Sequence, residues 1–195
     1  MRLRINNEKL CMATCFKKLR SLFKKSRKGN VKVILKTFKI YSEIKQVERH
    51  FDIEIRRLSK LIRIKTKTTT AIQYKASSSQ SYALSVTNPI AAALYCLINK
   101  FDHLMCVCET CFTLLIFKKS WLLLNKTNKY KQALLRVVNV ILHYRIDYQA
   151  LPINLIKNQS LIQQDKQILN LAINSDVMPI FNKKVLRKLK QITSK

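Results

Sequence analysis

Cys106, Cys108 and Cys111, with His103 just ahead of them, form the one stretch of this chain whose residue types and spacing suggest metal chemistry. A tetrahedral ion draws its ligands from turns or loop ends, whereas this run sits inside an apolar stretch that reads as helix, and one unbroken helix cannot wrap an ion. Cys11 and Cys15 could complete such a set. Cysteine is also among the most buried side chains of protein interiors, so the run is expected as core packing, with no metal and no cofactor. Nucleophilic catalysis needs a base, held by an orienting acid, beside Ser or Cys, and no sequence motif joins His50, His103 or His143 into such a set. The 10 acids are dispersed singly, which leaves no carboxylate pair for acid–base work or magnesium. Neither a GxGxxG loop nor a P-loop occurs. The chain therefore reads as no enzyme, with no small-molecule substrate.

The chemistry that remains is that of charge. Against those 10 acids stand 38 lysines and arginines, a formal +28, yet 48% of the residues are hydrophobic, enough to build a core. Residues 1–75 hold 22 cations and 5 anions, residues 76–125 hold 3 and 2, and residues 126–195 hold 13 and 3. A nearly neutral apolar centre with basic flanks is expected when the middle packs and the flanks face a polyanion, with nucleic acid the first candidate and anionic membrane the second. The bland alternative is a basic surface that is merely solvated.

Glycine occurs once, at Gly29, and proline three times, at Pro89, Pro152 and Pro179, too few for the turns of a barrel or sandwich. The expected fold is mainly α with a small β element: a helical core that carries a strand-helix-helix unit. Residues 1–30 read as a basic arm, a cationic amphipathic helix ending near Gly29. Residues 31–182 read as a mainly helical DNA-binding domain with an internal Thr- and Ser-rich loop at about 65–80, and residues 183–195 as a basic C-terminal helix or tail. The alternation of Val31, Val33 and Leu35 with Lys32, Ile34 and Lys36 suits a short strand. From Phe38 through Tyr41, Ile44, Val47, Phe51, Ile55, Leu58 and Ile62, steps of three and four predict a long helix over about 37–64. A second strand is expected at 81–86, then a helix opening at Pro89 with Thr87 or Asn88 as its cap. A break is placed within Lys118–Lys131 and a helix over Gln132–Tyr144, with further helices at about 159–173 and after Pro179.

The first thirty residues interleave cations with apolar positions and show no secretory signal, and the apolar run Leu104–Phe117 falls short of the roughly 20 residues that span a bilayer, so the chain is expected in the cytoplasm with reduced thiols.

A strand followed by a capped helix and a second helix is the unit of a ribbon-helix-helix domain, in which two chains pair strands into a ribbon that enters the major groove of DNA. Residues 81–144 can supply it as a homodimer; the plain alternative is a strand tucked onto a helical core. Outward Ser85 and Thr87 would then read base edges, and the amides near Asn88 would hold phosphate. Val31–Lys36 is the alternative ribbon, with Lys32 and Lys36 outward.

The segments SYALSVTNPIAAALYCLINKFDHLM, QALLRVVNVILHYRIDY and NLAINSDVMPIF, within about residues 80–182, resemble the AcaB-like regulators of conjugative plasmids and integrating conjugative elements. A leucine-bearing strand before Asn88 and Pro89, Asp102 after a run of small residues, Arg136 on a later helix and the closing Met178 and Pro179 carry the resemblance. It implies a ribbon-helix-helix-type transcription factor of transfer genes that binds double-stranded DNA. Ser85 and Thr87 depart from it, because a basic residue would be natural on that ribbon.

Overall fold

The structure is a computed structural model that describes residues 5–66, 88–143, 163–178 and 181–193, with side chains from Met12 onward. Six helices make up all the regular structure among the described residues: α1 (Ile5–Ser26), α2 (Val31–Thr66), α3 (Pro89–Thr113), α4 (Ser120–Leu142), α5 (Gln163–Ile173) and α6 (Lys183–Thr193). The expected small β element, and with it the ribbon-helix-helix unit, is corrected: among the described residues there is no strand. The expected strand at 81–86, and the loop at about 65–80 from residue 67 onward, lie outside the described residues.

The expected strand over Val31–Lys36 is the first turns of α2. Gly29 takes a left-handed conformation, φ 76°, and stops α1. Asn30 then caps the next helix, its Oδ1 accepting from the Val33 amide at 3.3 Å and its carbonyl from the Ile34 amide at 2.9 Å. Once that cap is set, Val31, Ile34, Leu35 and Phe38 fall on one helical face. Ile34, which an alternating strand would turn outward, is fully buried, while Lys32 and Lys36 are exposed.

The chain divides into two compact units. Unit 1 comprises Met1–Glu43, Val86–Ala92 and Val138–Lys195. Its core joins Val31, Ile34 and Leu35 of α2 to Leu169 and Ala172 of α5, Met178, and Leu189 of α6. Full burial of a Leu or Ile contributes about 1.5–3 kcal/mol, and this cluster is the apolar contact that joins the two short helices to α2. The segment read as an arm adds Cys15, Leu19 and Leu22, all fully buried. Its last turn meets α2 through Ser26 and Thr37, whose hydroxyls lie 3.3 Å apart while each also donates to a carbonyl one turn back in its own helix. Lys18 donates to the carbonyl of Leu142, where the last turn of α4 presents the negative end of its dipole.

Unit 2 comprises Ile44–Ser85 and Ala93–Val137. Phe51 is fully buried, 6.0 Å from the Phe101 ring and edge-on to Tyr130 at 6.2 Å. Glu48 is buried between Lys45, at 2.6 Å, and Lys100, at 3.0 Å, and Lys100 also reaches Asp52. Glu54 takes both Arg57 nitrogens, at 3.2 and 2.8 Å, and accepts the Tyr130 hydroxyl at 2.6 Å.

The break between α3 and α4 spans residues 114–119, so it meets the expected Lys118–Lys131 segment only at Lys118 and Lys119, and α4 runs unbroken from Ser120, ahead of the expected start at Gln132. α3 closes with the Ile116 amide donating to the Cys111 carbonyl and the Leu115 amide to that of Phe112, both at 2.9 Å. This is a Schellman closure with Leu115, φ 55°, in the position that glycine ordinarily takes. By length and composition α3 is long and apolar enough to cross a bilayer, which the run Leu104–Phe117 alone is not.

Candidate nucleic-acid interface

No Asp or Glu occurs between Glu8 and Glu43, or after Asp176, and both intervals belong to unit 1. The first folds into α1 and the start of α2. Lys17, Arg20 and Lys24 of α1 and Arg27 in the turn after it recur at steps of three, four and three, and all four are exposed opposite buried Cys15, Leu19, Leu22 and Ser26. Over that span the helix rises about 15 Å. Arg27 packs its guanidinium 5.8 Å above the Phe23 ring, which holds it at the surface. Lys17, Arg20 and Lys24 make no ion pair with a described acid.

α2 continues the cationic surface with Lys32 and Lys36, one turn apart and both exposed. Lys39, the next residue on that face, pairs with Asp165 at 3.0 Å. α6 repeats the design in eleven residues: Lys183, Arg187 and Lys190 are exposed along one side while Leu189 is buried. Asn182 opens that helix, its Oδ1 accepting from the Lys184 amide at 3.1 Å.

Of the expected DNA contacts, then, Lys32 and Lys36 stand on a helical face, and Ser85 and Thr87 lie outside the described residues. Asn88 is buried and caps α3 with its own side chain, its Oδ1 accepting from the Ile90 amide at 3.0 Å and the Ala91 amide at 3.3 Å. Those amides are thereby occupied from within the chain. Residues 1–30 and 183–195 were read from sequence as basic helical flanks, but the individual cations of α1 and α6 were not named as contacts, although the signal was present: cation spacing of three and four, set opposite an apolar row of the same period.

The cysteine run belongs to the interior of unit 2. Cys108 and Cys111 are fully buried, and burial, followed by the neighbouring Cys111, pushes the Cys108 thiol up to about 12. Burial likewise raises Cys106 and Cys111. Such thiols stay protonated and are poor nucleophiles and poor ligands. Among the described residues no group of three or more His, Cys, Asp or Glu is placed to hold a metal ion. His50, His103 and His143 all occupy exposed positions.

Three acids of unit 2, Glu48, Asp52 and Glu54, behave as braces. Burial alone would raise Glu48, but hydrogen bonds from Lys45 and Lys100 outweigh it and hold the carboxyl below its usual range. Glu54 is likewise lowered, with burial opposed by Arg57 and Tyr130.

No family model matches the chain, and neither a curated protein nor a solved structure matches it.

Proposed function

We propose that this protein binds nucleic acid, duplex DNA first, by setting the exposed cationic faces of unit 1 along the phosphate backbone. The supporting observation is the exposed row Lys17, Arg20 and Lys24 on α1, continued by Arg27 in the turn that follows, outward cations that make no ion pair with a carboxylate among the described residues. A duplex carries one charge per about 1.7 Å of axis, so such a row meets several phosphates and releases their counterions. No catalytic step belongs to this reading. The resemblance to AcaB-like regulators supplies its setting, a homodimeric transcriptional regulator of conjugative-transfer genes in the cytoplasm. Contact is through helices, with no ribbon involved.

The test is the salt dependence of duplex binding by the full chain and by the K17A/R20A/K24A variant. The logarithm of affinity falls by about 0.9 per contact per logarithm of salt, so removing three contacts flattens the slope by about 2.7. An unchanged slope, or binding to vesicles of anionic lipid with duplex ignored at low salt, overturns the reading and favours a membrane surface as the partner.

A further inference from the structure

α4 carries its own arrangement on its outward side. Asn125, Asn128 and Gln132 are exposed at steps of three and four, so their amides form one row. Together with Lys129 they line a shallow surface concavity of about 460 Å³. On one flank of the row stand Lys129 and Arg136, seven residues apart and both exposed. On the other stand Leu124, 47% exposed, and Leu135, 37% exposed, three turns apart on one line. Two leucines left in water beside a polar row cost solvation without stabilising the fold.

Each part of this face has a match on one kind of surface. A carboxamide offers a donor and an acceptor together and pairs with the N6 and N7 edge of adenine; an apolar side chain meets the C5-methyl group of thymine; Lys and Arg at the side reach phosphate. A helix is about 10–12 Å across and the major groove of B-DNA about 12 Å wide. From Asn125 to Arg136 the axis rises about 16 Å, the length of roughly five base pairs. The RNA major groove is too deep and narrow to admit the helix. A lipid surface would bury three amides without partners, and a second copy seated on this same face would set Lys129 and Arg136 against their own counterparts.

We infer that the outward face of α4 reads A·T base pairs in the major groove, with Asn128 and Gln132 on adenine, Leu124 and Leu135 on thymine methyls, and Lys129 and Arg136 on the flanking phosphates. This rests on the duplex-DNA reading above and assigns to it a sequence preference.

The experiment measures binding of the full chain to an A·T-rich duplex, a G·C-rich duplex, and the A·T duplex carrying either 7-deazaadenine, which lacks the N7 acceptor, or deoxyuridine, which lacks the methyl. The expected result is tighter binding to the A·T duplex and a loss of about fivefold or more on each edit. N128A/Q132A should abolish sensitivity to 7-deazaadenine while leaving the salt slope and the helical circular dichroism unchanged; K17A/R20A/K24A should weaken all four duplexes alike. Equal binding to all four by the unaltered chain overturns the α4 assignment and leaves the nucleic-acid reading standing. Binding to none overturns both.

Discussion

In unit 2 three cations of α2 and α3 are held by neighbouring acids: Lys45 and Lys100 close on Glu48, Lys100 also on Asp52, and Arg57 on Glu54, while Arg49, Arg56, Lys60 and Arg63 stand exposed. In unit 1 the corresponding positions of α1, α6 and the first turns of α2 point outward, and Lys39 with Asp165 is the ion pair described there. One surplus of positive charge is thus put to two uses. Braced charges fix how helices meet, and their value lies in stability. Outward charges repel one another and hold nothing together, so they are tolerated where a polyanion relieves them.

The sharpest contrast between the units comes from removing an anchor of the braced one. Phe51→Ala should lower stability by about 3–5 kcal/mol in urea melts, because a fully buried ring against Phe101 and Tyr130 leaves a cavity. Glu48→Ala should cost about 1–2 kcal/mol, the worth of charge-assisted hydrogen bonds reduced for the partial exposure of Lys100. Lys24→Ala in unit 1 should shift the same melt by less than about 0.5 kcal/mol. Equal losses for Glu48→Ala and Lys24→Ala would erase the distinction.

Acid should act on the braced unit through the same groups. Glu48 and Glu54 titrate lower folded than unfolded, so the folded state binds fewer protons near the ordinary glutamate value of about 4.3. Their contribution is full above that value and is lost as pH falls through the lowered one. Urea midpoints at pH 7 and pH 3 should differ in that direction, and E48Q/E54Q should narrow the gap; identical midpoints would sink the bracing account. The smallest effect concerns the α3 end: Leu115→Gly should stabilise by up to about 1 kcal/mol, since a Leu at φ 55° carries the left-handed penalty that glycine avoids.

That leucine also marks a limit of what could be read from residues alone. The stop at Gly29, the buried face from Ile44 to Ile62 and the opening of α3 at Asn88 and Pro89 were legible, because each rests on local chemistry or on a period sustained over many turns. Three alternating residues at Val31–Leu35 were too short a sample, and the Gly29–Asn30 stop and cap overrode them. The break after α3 was placed too late because Leu115 gives no turn signal, the Schellman closure being satisfied by backbone bonds. Glu48 is buried against Lys100, 52 positions away, a pairing that no local pattern reports. Of the candidate contacts, Lys32 and Lys36 were identified through a strand and occupy helix, where the spacing of four that they share aligns them on one side.

The chain contains a single tryptophan, Trp121, and it stands 54% exposed one turn ahead of Asn125 on α4. Its indole emission therefore belongs to one known place and needs no dye. Any partner that covers that turn will change its colour or quench it, and a titration followed in the fluorimeter tells occupancy of α4 apart from events confined to α1 or α6.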